Sequence, residues 1–115
     1  MKTLEDIRQH AAGFAQVRDW QQFQSPKNLA AALSVEAAEL LEHFQWLSEA
    51  QSRELDARQL QCVAEEIADV QLYLARLADE LGIDILQAVA RKVEINERNY
   101  PVDQVRGSAK KYSDY

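Results

Sequence analysis

The sequence predicts an all-α fold of four helices, on three observations. Only three glycines and two prolines interrupt 115 residues, and so few breakers favour long helices with short connections. Apolar residues recur at steps of three and four over long stretches, which is the period of an amphipathic helix. Capping signals stand where those stretches begin and end, with Thr3, Ser25-Pro26 and Asp84 at starts and Gly82 at an end. No run alternates as a strand would, and there is no repeat or low-complexity segment.

The first helix is expected over about residues 3–19. Thr3 is its N-cap, with Asp6 three residues on in a shortened capping box, and Leu4, Ile7, Ala11, Phe14 and Val17 form its apolar face. The connection after it, Trp20-Gln21-Gln22-Phe23-Gln24, carries two aromatics. Ser25 and Pro26 open the second helix, since proline at the first turn lacks only a donor that would be orphaned there anyway. That helix is expected over residues 26–47. Leu29, Leu33, Glu36, Leu40, His43 and Leu47 step along one seam, so Glu36 and His43 occupy apolar slots, with Glu39 on the flank.

Residues 48–56 read as a polar loop, in which Ser52 or Asp56 can cap the next helix. This third helix is expected over residues 57–81, with Leu60, Val63, Ile67, Val70, Leu74, Leu77 and Leu81 forming a seam of period 3.5 that another helix can pack against. Glu66, Asp69 and Tyr73 make a second strip beside it. Gly82 ends this helix as a C′ glycine. Asp84 caps the fourth, expected over residues 84–100 with Pro101 as its stop. The tail 101–115 has no clear period.

The size, 13.1 kDa, suits a single domain. Cys62 is the only cysteine, which rules out an intrachain disulfide and CxxC zinc or redox sites. Met1 to Asp6 lacks the apolar run of a signal peptide, and no stretch approaches a membrane span, so a cytoplasmic setting and no membrane partner are expected. The net charge of −6 argues against nucleic acid as a partner. Charge is uneven: residues 1–90 carry 7 Lys/Arg against 15 Asp/Glu, whereas residues 91–115 carry 6 against 4. The basic end either complements a helix dipole or neutralises a small anionic ligand.

Four carboxylates stand where solvated charges do not belong. Glu36-x-x-Glu39 and Glu66-x-x-Asp69 lie within the two most apolar helical stretches, and residues three apart share a helix face. Packing those helices together converges four acidic groups, which then need protons or cations. Ligands that are all oxygen suit a hard divalent ion, Mg2+ above all. The sequence holds no GxxxxGK[ST] loop and no GxGxxG turn, so a polyphosphate would have to be held by metal and Lys/Arg. His10 and His43 are the only histidines and no serine sits in a nucleophile elbow. Trp20, Phe23, Trp46 and Tyr73 lie near the carboxylate helices; they serve either as core or as a platform on which a flat base can stack.

These residues also carry a resemblance. Arg18-Asp19-Trp20, Gln22-Phe23, Pro26-Lys27-Asn28-Leu29, Glu36-x-x-Glu39-Leu40, Phe44-Gln45-Trp46, Glu65-Glu66-x-x-Asp69-Val70, Tyr73-Leu74, Gln87-Ala88-Val89 and the stretch from Asn96 to Tyr112 resemble the dCTP pyrophosphatase group of the all-α, MazG-like nucleoside triphosphate pyrophosphohydrolases. The resemblance covers nearly the whole chain. It implies a four-helix bundle protomer assembling as dimers paired into tetramers, and Mg2+-dependent hydrolysis of dCTP or a 5-modified dCTP to the monophosphate and pyrophosphate. On matching positions, Glu36, Glu39, Glu66 and Asp69 would hold Mg2+ and be catalytic. Trp20, Gln21, Gln22, Phe23, Gln24, Trp46 and Tyr73 would form the base and sugar pocket, with Asp69 also contacting the nucleotide. Lys92, Asn96, Arg98, Arg106, Lys110 and Tyr112 would meet the triphosphate or a neighbouring subunit. Two positions depart from the group: animal members have histidine at the position of Ala11, where this chain's neighbouring His10 points about 100° away, and histidine at that of Gln24.

Overall fold

The computed structural model of the chain describes residues 1–109 and Ser113. All regular structure among them is helical, in the order α1 (Leu4–Val17), a 3-10 turn (Gln21–Phe23), α2 (Pro26–Glu42), α3 (Glu49–Ser52), α4 (Ala57–Glu80), α5 (Ile85–Asn99) and α6 (Val102–Val105). These elements form two compact units, Met1–Ile83 and Asp84–Tyr115.

Caps fix the helix starts as the sequence indicates. The Thr3 hydroxyl accepts from the Asp6 amide, and the Asp6 carboxylate accepts from the Thr3 amide. Ser25 caps α2 with Pro26 in its first turn, and Asp56 and Asp84 cap α4 and α5. Each cap satisfies amides that a helix start leaves without partners. Helix α1 ends in a Schellman turn, with Asp19 N–H on the Gln16 carbonyl and Trp20 N–H on that of Ala15. Asp19 therefore sits at φ 54, a left-handed position that glycine usually takes. The same pair of bonds ends α4, from Gly82 to Asp79 and from Ile83 to Ala78, with Gly82 at φ 66.

In the first unit, α4 packs against both α1 and α2. Ala11 and Ala15 of α1, Leu29 of α2, and Val63 and Ala75 of α4 are buried there. The α4 seam meets other helices as expected, but it is covered along one side only. Val63 is buried and Val70 and Leu77 are half-buried, while Leu60, Ile67, Leu74 and Leu81 remain 54%, 54%, 40% and 51% exposed. A period of 3.5 alternates between two lines on the helix surface, and α1 and α2 cover one of them.

Two expectations are corrected. Helix α2 stops at Glu42 rather than 47, because the backbone tightens into turns in which Phe44 and Gln45 both donate to Leu41, and Leu47 to Phe44. His43 is consequently an exposed cap residue and takes no place in an apolar seam. The stretch expected as a loop holds α3, whose Ser48–Gln51 capping box closes a single turn.

In the second unit, Asp84 caps α5 through the Gln87 amide, and Arg98 in its last turn complements the helix dipole. Pro101 follows and opens the short α6. No helix among the described residues is long and apolar enough to cross a membrane.

Candidate active site

The apolar face that seats α2 on α4 begins at buried Leu29 and continues through half-buried Leu33, Glu36 and Leu40. Glu36 is therefore carried towards α4 by the same periodicity that buries the leucines, and Glu39 comes on the next turn. Glu66 comes from α4. One carboxylate oxygen from each of Glu36, Glu39 and Glu66 lies within 4.8 Å of the others, and all three side chains are half-buried.

Such a cluster is electrostatically unfavourable by itself. Burial pushes the Glu36 carboxyl up from 4.5 to about 7, helped by the adjacent Glu39 and Glu66 carboxyls and the negative charge of Asp69. Oε2 of Glu36 and Oε2 of Glu66 are both buried with no hydrogen-bond partner among the described residues. An unsatisfied buried carboxylate oxygen costs the desolvation of that atom, about 1–3 kcal/mol or more, so groups of this kind are found paired, protonated or on a cation. Three convergent carboxylates with two orphaned oxygens fit a hard divalent cation. Asp69, the fourth member expected, does not join this triplet. It lines a neighbouring cavity, near enough for its charge to act on Glu36.

That cavity, of about 270 Å3, lies between α1, the connection before α2 and α4. Helix α1 supplies His10, Ala11, Phe14 and Ala15; Trp20 and Gln24 come from the connection; α4 gives Asp69, Leu72, Tyr73 and Arg76. The Schellman turn at Asp19 reverses the chain so that Trp20 meets Phe14 edge to face, at 5.8 Å between ring centres and 70° between planes. Arg18 lies 3.5 Å over the ring of Phe14, and its Nη1 donates to the Phe14 carbonyl. Gln22 donates to the Asp19 carbonyl and to its Oδ2, holding the turn closed.

Of the residues expected in a base pocket, Trp20, Gln24, Asp69 and Tyr73 are brought together. Gln21, Gln22 and Phe23 form the 3-10 turn beside the cavity and do not line it. Trp46 does not line it either, since it comes after the early end of α2 and is 86% exposed. Lys92, Asn96 and Arg98 are exposed on α5, and Arg106 is exposed at the end of α6. Lys110 and Tyr112 lie outside the described residues.

Besides the small or aliphatic Ala11, Ala15 and Leu72, three lining residues with aromatic or charged groups, His10, Phe14 and Arg76, escape sequence reasoning. His10 borders the cavity together with Ala11, although a single-residue step on a helix turns a side chain by about 100°. Phe14 reads from sequence only as part of the apolar face of its helix. Arg76 is the most telling, because Glu66, Asp69, Tyr73 and Arg76 continue one another at steps of 3, 4 and 3. Extending the acidic strip by one more step reaches it.

Residues 31–115 match the MazG-like family. The chain is 45% identical to dCTP pyrophosphatase 1 of Rattus norvegicus over 114 residues, covering 97% of this chain and 67% of that protein. It is 42% identical to dCTP pyrophosphatase 1 of Homo sapiens, with the same coverage of 97% and 67%. Among solved structures it resembles a crystal structure of a pyrophosphatase from Archaeoglobus fulgidus, with a TM-score of 0.80 and 45% identity, covering 84% of this chain and 91% of that one. With a family match over most of its length and relatives this similar, the chain belongs to the MazG-like family.

Proposed function

We propose that this protein is a nucleoside triphosphate pyrophosphohydrolase that cleaves a deoxynucleoside triphosphate, dCTP or a 5-modified dCTP, to the monophosphate and pyrophosphate. The observation that carries this is the pair of buried, unpartnered oxygens on Glu36 and Glu66 within the three-carboxylate cluster. The relatives named as dCTP pyrophosphatases support the substrate class.

Glu36, Glu39 and Glu66 would hold Mg2+, with Asp69 beside them. Bound there, the ion would neutralise phosphate charge and make a water more acidic. Trp20 and Tyr73 offer ring faces and edges to a base, and Asp69 offers an acceptor. Water oxygen forms a bond to the α-phosphorus, the bond to the α–β bridging oxygen breaks, and pyrophosphate leaves. The proton given up by the water passes to the carboxylate cluster, with Glu39 one acceptor for it. We assign Lys92, Asn96, Arg98, Arg106, Lys110 and Tyr112 to the triphosphate, in the same chain or a neighbouring one, on their chemistry alone. A role in clearing unwanted nucleotides from the cytoplasmic pool suits this activity, as does a homo-oligomer, a dimer of dimers, closed over the exposed stripe of α4.

Incubation with each dNTP and Mg2+, with monophosphate and pyrophosphate both measured, tests the assignment. Release in equal amounts is expected, abolished by chelation. Glu66→Gln should keep the fold and lower kcat by at least about 10²-fold. Full activity in that variant would remove the cluster from the reaction. A non-catalytic interaction module, by contrast, would pair the acidic strip with a partner's basic end and be indifferent to Mg2+.

A further inference from the structure

Arg76 is a buried cation that the proposed chemistry leaves without a task. It is 4% exposed and borders the cavity. Nη1 donates to Asp79 Oδ2 at 3.0 Å and Nη2 to Glu80 Oε2 at 2.9 Å. Asp79 is held in turn by Arg8 of α1, at 2.9 Å. Two carboxylates thus answer the charge of Arg76, which leaves it poorly suited to gripping a phosphate. Its third contact is of another kind: Nε donates to Oε1 of Gln24, at 2.9 Å, from α4 to the connection before α2.

That contact determines which way the Gln24 amide points. The oxygen and nitrogen of a glutamine amide are ordinarily interchangeable by a half-turn. Guanidinium has donors only, so whatever meets Arg76 Nε must be the oxygen. The NH2 group is then the remaining end of the amide, it makes no hydrogen bond among the described residues, and Gln24 lines the cavity. Two carboxylate bonds and burial hold Arg76 itself, so the amide is fixed before any ligand arrives. Such preorganisation lets one hydrogen bond discriminate between ligands, because a wrong group leaves a fixed donor unpaired.

We infer that Arg76 is a positioning residue that fixes Gln24 with its amide NH2 as a hydrogen-bond donor to the cavity, selecting a nucleobase edge that presents an acceptor. This rests on the pyrophosphohydrolase assignment. Together with the Asp69 carboxylate, which only accepts when ionised, the fixed donor gives the cavity two polar groups of opposite sense. Cytosine offers both, an amino donor beside a ring-nitrogen acceptor. Uracil differs from it only along that edge, which makes dCTP and dUTP the informative pair.

Gln24→Glu tests this most directly. Glutamate keeps an oxygen for Arg76 Nε, so stability should not fall, but it replaces the NH2 donor by an acceptor. The expected result is a loss of about 10–100-fold in kcat/KM for dCTP, mainly through KM, with a much smaller loss for dUTP. Arg76→Lys keeps a cation against Asp79 and Glu80 yet lacks the planar fork; it should narrow the dCTP-to-dUTP ratio several-fold. The double variant should be no less selective than Gln24→Glu alone, since both act on one amide. An active wild type whose dCTP-to-dUTP ratio is unchanged by Gln24→Glu overturns the inference alone. A wild type that hydrolyses none of the four dNTPs overturns the assignment and the inference together.

Discussion

Glu36 stands where the folding of α2 and the proposed chemistry meet in one side chain. It takes a leucine's place on the packing face of α2, and the cost of that choice appears as a carboxyl raised to about 7. Linkage sets the sign of the consequence. An unfolded glutamate titrates near 4.5, so between pH 4.5 and 7 the folded chain holds a proton that the unfolded chain has lost. Stability of the metal-free protein should therefore fall as pH rises through that window and stay reduced above it. Mg2+ requires the ionised carboxylate, so its stabilising effect should grow across the same range. Thermal melts of the wild type and Glu36→Gln from pH 5 to 8, with and without Mg2+, would check this. The variant should be the more stable of the two at pH 8 without metal, and the less stabilised by Mg2+. Identical pH slopes for the two proteins would show that Glu36 does not carry the raised carboxyl.

At the scale of the element, helix starts are the most legible part of the chain and helix ends in aromatic sequence the least. Thr3, Ser25, Asp56 and Asp84 work as caps because their short side chains reach amides fixed by local geometry, and nothing distant competes. The end of α2 lacks such a marker. His43 and Leu47 keep the 3,4 step of the seam going, so periodicity alone extends the helix across turns that carry Trp46 away to solvent. The carboxylate triplet is legible because the face that buries Leu29 and half-buries Leu40 dictates where Glu36 points. Arg76 is not, because a cation on a helix usually reads as solvated, and its partner Gln24 lies 52 positions away. The two Schellman turns offer a matched test of backbone strain. A Cβ at Gly82 would meet nothing within 4 Å, so Gly82→Ala should cost only the left-handed backbone, about 1 kcal/mol, or roughly 4 °C in Tm. Asp19→Gly relieves that same strain and should move Tm the other way, by less, since it also loses the Gln22 contact. Shifts of equal sign in the two variants would contradict this account.

For the molecule as a whole, the question is what covers α4. Its 24 residues rise about 1.5 Å each, making a helix about 36 Å long, with Leu60, Ile67, Leu74 and Leu81 exposed at intervals of seven down one line. Scattered apolar residues on a surface need no explanation, but a row at heptad spacing is what a second helix packs against. A second copy of this chain can offer an identical row, and a two-fold contact pairs each stripe with its equal. A net charge of −6 on each chain opposes association at long range, so the proposed contact between copies rests on apolar burial rather than on charge. Ile67→Lys combined with Leu74→Lys should therefore reduce the mass in solution to that of one chain, measured by light scattering after size exclusion. Helix content should persist, because neither side chain is buried within a single chain. Glu36, Glu39 and Glu66 come from one chain as well, so stabilisation by Mg2+ should survive in the dissociated variant. Retention of the wild-type mass would mean that the stripe is not the contact; loss of the Mg2+ response along with the mass would mean that the metal site is completed by the partner.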